Sequence, residues 1–288
     1  MSDKQSRSTG RGIERSCRQS RRDWFRSTNS GAGVELFEAW FGGYAYDRHR
    51  HDTYAIGLTD TGVQAFNYRG AAHASTAGKV IVLHPDEAHD GQAGSDEGFG
   101  YRMLYVSPAR IFEAVRLISG RAAALPFVPD VVSTNPKLSQ AIQTAFHNGL
   151  EPLAIDSLIL ELAEALVSSD PSSRPRPVPR VLDLAALERA RQFFDTERDR
   201  VVTSSELEAI TGLTRYDLAR QFRWAFATSP YRYSLGRRLD SAREGLNNRR
   251  PIVEVALDAG FADQAHFTRM FKSAYGLTPA RYASLHAS

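Results

Sequence analysis

At 288 residues, 42% of them apolar and 24% charged with a net charge of +3, the chain can bury a substantial core divided over two domains of ordinary size. No stretch is long and apolar enough to span a bilayer, and no apolar block precedes a small-residue cleavage site at the amino terminus, so no membrane partner is read and the expected location is the cytoplasm. The single cysteine, Cys17, excludes an internal disulfide and any CxxC zinc or redox site.

Residues 1–26 hold 8 Lys/Arg against 3 Asp/Glu, residues 27–179 hold 11 against 17, and residues 180–288 hold 17 against 13. The segments therefore carry +5, −6 and +4. An acidic middle followed by a basic end fits a carboxy-terminal half that meets a polyanion, of which nucleic acid is the commonest. A surplus of this size is also what a solvated surface carries.

Taken in chain order, residues 1–26 read as a basic, disordered tail rich in arginine and serine. From about Val34 to Val106, short runs rich in Val, Ile, Tyr and Phe alternate with Gly and Asp, as in YAIGLTDTG, VQAFNYRG, KVIVLHPDE and FGYRMLYV. That spacing predicts antiparallel strands in a sandwich or barrel. Between Pro136 and Ser168 apolar residues recur three and four apart, among them Leu138, Ile142, Phe146, Leu158, Leu162 and Leu166, which predicts two amphipathic helices. Their apolar faces exceed what one small domain needs, and a homodimer through them is expected. Residues 27–168 thus form one domain. Residues 169–180 carry four prolines and no apolar periodicity, which predicts an extended linker that few contacts cross.

Residues 181–288 are helical almost throughout and contain an internal repeat. Aligning LEAITGLTRYDLARQFRWAFATSPYRY with VALDAGFADQAHFTRMFKSAYGLTPARY pairs Gly212 with Gly260, Leu218 with Phe267, Arg220 with Arg269, Phe222 with Phe271, Phe226 with Tyr275 and Pro230 with Pro279. One extra residue falls in the second turn. Each copy, about 204–227 and 252–275, reads as a short helix, a glycine turn and a longer helix capped by Thr214 or Asp263, which is helix-turn-helix order. Leu218, Phe222 and Phe226 recur on one helix face, as do Phe267, Phe271 and Tyr275. Arg220 and Arg269 lie about 200° around from those faces and point outward. With the first stand Arg215, Tyr216, Ala219 and Arg223; with the second stand Gln264, Ala265, His266, Thr268 and Lys272. Arginine can engage guanine with two prongs, glutamine can pair with adenine, and lysine or threonine can hold phosphate oxygens. Arg215, Arg223, Arg232, Lys272 and Arg281 are the candidate phosphate contacts.

Residues from about 185 to 286 resemble the DNA-binding domain of the AraC/XylS family of bacterial regulators, and PIVEVALDAGFADQAHFTRMFKSAYGLTPARY fits that family's carboxy-terminal signature nearly throughout. The resemblance implies two recognition helices in successive major-groove segments of a double-stranded operator, joined by a long helix from Tyr231 to about Asn247 that buries Leu235, Leu239, Ala242 and Leu246. It also implies RNA polymerase as a further partner. The first unit departs from the pattern at Glu208, where a small residue is usual, and at Ala227 or Thr228, where glycine is usual.

His49-Arg50-His51 and His84-Pro85-Asp86-Glu87-Ala88-His89 form the other constellation. Two histidines two apart on a strand face one side and, with a third from a neighbouring strand, could hold a metal. The segment from about 35 to 110 resembles the cupin-type effector-binding domain that precedes the reader in many AraC-like regulators. Metal-binding cupins usually add a glutamate after the HxH pair, whereas Asp52, Thr53, Tyr54 and Ala55 stand here, so a metal ranks behind an effector site and no metal or cofactor is expected. His49, His51, Tyr54, His84 and His89 are the candidate lining of a small-molecule site at a barrel mouth.

The fold expected is therefore multidomain α+β: a cupin-like antiparallel β-barrel with two following helices, then an all-α domain with two helix-turn-helix motifs joined by a long helix. The function expected is sequence-specific transcription regulation under a small-molecule effector, with no enzymatic activity. A metal-dependent cupin enzyme would need a complete ligand set, a methyl-accepting repair protein would need a partnered cysteine in place of Cys17, and a plain interaction module would leave the outward arginines unexplained.

Overall fold

The computed structural model describes residues 23–120, 123–171 and 182–286. Residues 1–22 of the basic tail, with Cys17, and 172–180 of the linker lie outside them, as do residues 121, 122, 181, 287 and 288. The strands β1 Trp24–Asn29, β2 Val34–Phe41, β3 Tyr44–His49, β4 Tyr54–Tyr68, β5 Ala71–Thr76, β6 Val80–Leu83, β7 His89–Ala93, β8 Phe99–Val106 and β9 Val132–Ser133 are antiparallel throughout. One layer runs β1-β2-β8-β4-β6-β9 and the other β5-β4-β7-β3.

The two runs YAIGLTDTG and VQAFNYRG, expected as separate strands, are one continuous strand of 15 residues, β4. Its first half pairs with β6 and β8, and its second half with β5 and β7. The crossing falls at a register shift between Thr59 and Thr61, followed by Gly62 with φ +70°, where a Cβ would come within 1.9 Å of the Gly98 carbonyl oxygen. A bulge and a glycine let one strand bend from layer to layer, so turn-like residues here mark a corner instead of a loop.

The supposed tail ends earlier than its composition suggests. Phe25 is fully buried, stacks on Phe37 at 5.1 Å and touches Tyr282 at 4.8 Å, and β1 pairs with β2 along its whole length. In β1 the exposed Arg26 stands next to the buried Phe25, so a strand with one inward anchor among polar residues resembles a solvated tail in composition.

Helix α1, Pro108–Ser119, was not anticipated; α2 Pro136–Asn148 and α3 Pro152–Ser168 match the two amphipathic segments. After the linker come α4 Leu184–Thr196, α5 Ser204–Thr211, α6 Arg215–Phe226, α7 Pro230–Asn247, α8 Ile252–Asp258, α9 Gln264–Tyr275 and α10 Pro279–Leu285. Their starts follow local chemistry. Thr203 and Glu206 form a reciprocal capping box on α5, Thr214, Ser229, Asp263 and Thr278 cap α6, α7, α9 and α10, and prolines open α7 and α10.

The two halves are not joined loosely. One buried apolar cluster runs from Ile56, Val82 and Leu104 of the sheet through α1–α3 to Phe194 and Phe222, with Phe112 edge-on to Trp224 and Phe226 at 5.8 and 6.3 Å. A second joins Phe25, Phe41 and Tyr101 to Leu239, Phe267, Phe271 and Tyr282. The expectation of few crossing contacts fails because a linker's composition describes the connection and not the surfaces that it brings together.

Candidate functional site

The repeat folds as two helix-turn-helix units, α5–α6 and α8–α9. Gly212 and Gly260 end the first helix of each at φ +73° and +71°, and Gly260 also packs so closely on Asp199 that a Cβ would lie 2.5 Å from its carbonyl oxygen. Leu218, Phe222, Phe226, Phe267 and Phe271 are buried and Tyr275 is half-buried, so each long helix presents its other face outward. At the end of α6, Ala227 takes the left-handed conformation (φ +55°) that Gly276 takes after α9, which is the position where the family pattern places glycine.

Each unit is further held by an arginine that sequence reasoning missed. Arg189 of α4 donates to the carbonyls of Ile210 and Thr211 at 3.0 and 2.9 Å, closing α5. Arg238 of α7, itself buried, donates to those of Ala259 and Gly260 at 2.9 and 2.6 Å, closing α8, and stacks on Phe261 at 4.4 Å. A cation at a helix carboxy terminus satisfies orphan carbonyls and the helix dipole together. The signal was available, since both arginines lie 22 residues before the turn glycine or its neighbour: Arg189 precedes Thr211 and Arg238 precedes Gly260 by that number.

Of the residues singled out for DNA, Tyr216, Arg220, Arg223, Gln264, Ala265 and Arg269 are exposed, while Ala219, His266 and Thr268 are half-buried on the same faces. Arg220 rests on Asp217 at 2.7 Å with its side chain still 67% exposed. Arg215 is bound through its backbone N–H and guanidinium to Glu208, the residue where the family pattern has a small one. Three other candidate phosphate contacts are engaged by acidic groups of the amino-terminal half: Lys272 by Asp47 at 2.5 Å, Arg281 by Asp23 at 2.8 Å and Arg232 by Asp86. The Lys272 ammonium and the Tyr44 hydroxyl beside Asp47 hold its carboxyl below the usual carboxylate range.

Between the halves lies a cavity of about 590 Å³. The sheet contributes Glu35, His49, His51 and Tyr105, and α7 contributes Leu235 and Arg243. Burial pushes the phenol of Tyr46 up to about 12 and those of Tyr101 and Tyr105 further, so the tyrosines on this wall are neutral hydroxyls. Arg243 spans the floor. It is bound to Glu35 of β2, with one N···O distance of 3.0 Å, donates to the Tyr282 hydroxyl at 3.2 Å and stacks on Tyr275 at 5.0 Å.

The five effector candidates separate. His49 and His51 line the cavity, and His89, paired across the strands with His49, stands beside them with its ring 4.2 Å from that of His49 and 4.9 Å from that of His51. Tyr54 and His84 do not join them. The Tyr54 hydroxyl donates to the Pro126 carbonyl at 2.9 Å, and His84 accepts the Val128 N–H at Nε2 while its Nδ1 meets the Tyr68 hydroxyl at 3.0 Å. Both are buried away from the cavity and tie the loop before β9 to the sheet. Their inclusion is corrected because period-two spacing fixes which side a strand residue faces but not which of two layers the strand has entered. Burial lowers all three clustered histidines, His51 to about 3, His89 to about 4 and His49 well below its ordinary value, with neighbouring imidazoles adding to the effect at His49 and His51. The rings are neutral.

Residues 31–163 match the family model of the AraC-like ligand binding domain, and residues 207–284 match that of a helix-turn-helix domain. A transcriptional regulator of Bacillus subtilis (strain 168), YbfI, is 26% identical over 229 residues, covering 77% of this chain and 81% of its own. The XylDLEGF operon transcriptional activator of Pseudomonas putida is 30% identical over 130 residues, covering 44% of this chain and 38% of its own. Among solved structures, ToxT from Vibrio cholerae superimposes with a TM-score of 0.59 at 14% identity over 92% of this chain and 100% of that one. A ToxT structure with unsaturated fatty acid bound gives 0.57 at 15% identity over 93% and 97%. Among the described residues no helix is long and apolar enough to cross a membrane. An amino-terminal ligand-binding sheet followed by two helix-turn-helix units makes this chain a member of the AraC family of DNA-binding transcription regulators.

Proposed function

We propose that this regulator is controlled by a small molecule bound in the cavity between its halves, and that occupancy changes how α6 and α9 are presented to the operator. The observation that carries the reading is the composition of the walls. They combine the ligand-binding sheet with α7, the helix joining the two readers, and with the carboxy-terminal end of α9. A ligand there touches both halves, so it can have different affinities for different arrangements of them, which is what control requires. Aromatic and aliphatic residues interleaved with charged ones, among them Glu35, Asp52, Arg237 and Arg243, suit a molecule with an apolar part and a polar or charged head, and ToxT, of the same fold, has been solved with a fatty acid. The proposed effector contacts are His49, His51 and His89 with the walls around them; the proposed base and phosphate contacts are Arg215, Tyr216, Ala219, Arg220, Arg223, Gln264, Ala265, His266, Thr268, Arg269 and Lys272.

The test is selection of bound fragments from the organism's own genome with and without candidate metabolites. A true effector changes affinity for the selected operator, and Leu235→Trp, which fills the cavity from α7, should abolish that change. An effector response of unchanged size in a stably folded Leu235→Trp chain would place the ligand elsewhere.

With the first boundary moved back to Trp24 to include β1, residues 24–168 and 181–288 are the proposed domains, joined by the linker at 169–180, acting in the cytoplasm without a catalytic step. RNA polymerase is the proposed further partner, since relatives of this chain are named activators. A homodimer is proposed through α3, where Leu153, Leu160 and Val167 stand seven residues apart, exposed on one face. Such a stripe matches itself under two-fold symmetry. Sedimentation at micromolar concentration should show a concentration-dependent dimer that Leu160→Glu abolishes; a wild-type chain that stays monomeric both free and on DNA would remove the stripe from consideration.

A further inference from the structure

Reading the cavity as an effector site leaves unexplained why three histidines meet at its edge. His49 ends β3, His51 follows it by two residues, and His89 opens β7 directly across from His49. One nitrogen of each lies within 4.8 Å of those of the other two.

Their hydrogen bonds decide which nitrogen of each ring can offer a lone pair. The Nδ1–H of His49 donates to the Asp47 carbonyl at 2.9 Å, and that of His89 to the Glu87 carbonyl at 3.1 Å. The Nδ1–H of His51 is shared between the carbonyl and hydroxyl oxygens of Thr53, at 2.9 and 3.1 Å. A carbonyl oxygen can only accept, so Nδ1 carries the proton in each neutral ring and Nε2 carries the lone pair; the His49 ring also lies within hydrogen-bond reach of the His89 backbone. Three rings thus have the same tautomer, each oriented by a carbonyl two residues away in sequence. The Nε2 of His51 is buried and has no hydrogen-bond partner among the described residues. A histidine that merely packs normally finds partners for its buried nitrogens. A set of Nδ1-anchored imidazoles whose rings crowd together is instead the arrangement in which outer-shell bonds orient metal ligands.

We propose that His49, His51 and His89 form a three-imidazole site for a divalent transition metal, Zn²⁺ foremost, with its fourth coordination position opening on the cavity between the halves. Nitrogen donors alone favour Zn²⁺ and its neighbours over Mg²⁺ or Ca²⁺. Tetrahedral ligands at about 2.0–2.1 Å from zinc lie about 3.3 Å apart, so the rings would have to close by up to about 1.5 Å. The missing glutamate is no obstacle, because three protein ligands with one open position is a complete set for zinc. Asp52, the carboxylate nearest in sequence, is engaged by Arg237 at 3.6 Å and is not needed as a ligand. His49 and His51 both line the cavity, so the open position faces the volume where an oxygen or sulfur donor of a small molecule would enter. His49 also lies under Gly276, the residue that caps α9, where a Cβ would come within 2.8 Å of its Nδ1. The metal would therefore sit at the junction of sheet and second reader.

The experiment titrates Co²⁺ into the metal-free, untagged full chain and follows the visible absorption of tetrahedral cobalt, then displaces it with Zn²⁺. One equivalent should bind, zinc should abolish the band, and His51→Ala and His89→Ala should each weaken binding on the order of a hundredfold. His73→Ala, outside the cluster, should bind as the wild type does. Absence of saturable binding, or affinity unchanged in both cluster variants, overturns the proposal. Should those variants fail to fold, X-ray absorption on the zinc-loaded wild-type chain decides: a shell with three imidazole nitrogens supports the site and a shell without them refutes it. An effector response that persists in metal-free protein would leave the cavity reading standing while removing the metal from that response.

Discussion

Arg243→Met is expected to cost about 3–5 kcal/mol and lower the melting temperature by about 10 °C, among the largest losses available from a single side chain here. Glu35 is 7% exposed and faces the Arg243 guanidinium, so truncating the cation strands a buried carboxylate. Removing an exposed partner would cost at most about 1 kcal/mol. The double variant Glu35→Leu with Arg243→Met should recover most of the loss, because two apolar side chains avoid the desolvation penalty that a lone charge incurs. The pair also joins β2 to α7, so the double variant keeps stability while releasing the tie between the halves. Differential scanning calorimetry on the single and double variants measures the coupling. A single variant that melts within a degree or two of wild type would show that the halves are not clamped there.

Much of this fold was legible in residue pattern. The repeat, the outward arginines and the long helix followed from periodicities of 3.6 residues and from capping chemistry, both properties of neighbours in sequence. What was not legible depends on which surfaces meet. The acidic middle and basic end suggested a polyanionic partner, yet Glu35, Asp47, Asp52, Asp86 and Glu113 of the middle are paired with Arg243, Lys272, Arg237, Arg232 and Arg191 of the end. Part of the charge asymmetry therefore records how the halves bind each other. The same ambiguity affected the histidines: spacing identified His49 and His51 as neighbours on one side, but only pairing of β3 with β7 brings His89 to them and leaves His84 behind. The apolar face expected to dimerise is instead packed into the chain's own core, since Leu138, Ile142, Leu158, Leu162 and Leu166 are all buried, whereas the exposed residues Leu153, Leu160 and Val167 lie on another face of α3 that the periodicity did not single out.

Two helices of one chain are proposed to read DNA in successive major-groove segments. Arg220 and Arg269 occupy equivalent places in the repeat, both exposed, with Phe222 and Phe271 buried behind them. Arg220 must leave Asp217, but an exposed pair of this kind holds it by no more than about 1 kcal/mol, less than a two-pronged bond to guanine supplies. Among the described residues Arg269 has no ion pair. Lys272 must exchange Asp47 for a phosphate, so its contribution reports both the salt-dependent contact and the release of α9 from β3. The direct measurement is binding of wild type, Arg220→Ala, Arg269→Ala and Lys272→Ala to a library of operator variants at two salt concentrations. Each arginine variant should lose about 1–3 kcal/mol of discrimination at its own base pair, the two positions about ten base pairs apart, while Lys272→Ala weakens all sequences alike and reduces the salt slope by about one. Arginine variants that weaken every sequence equally, or that leave binding unchanged, would show that α6 and α9 do not read bases through Arg220 and Arg269.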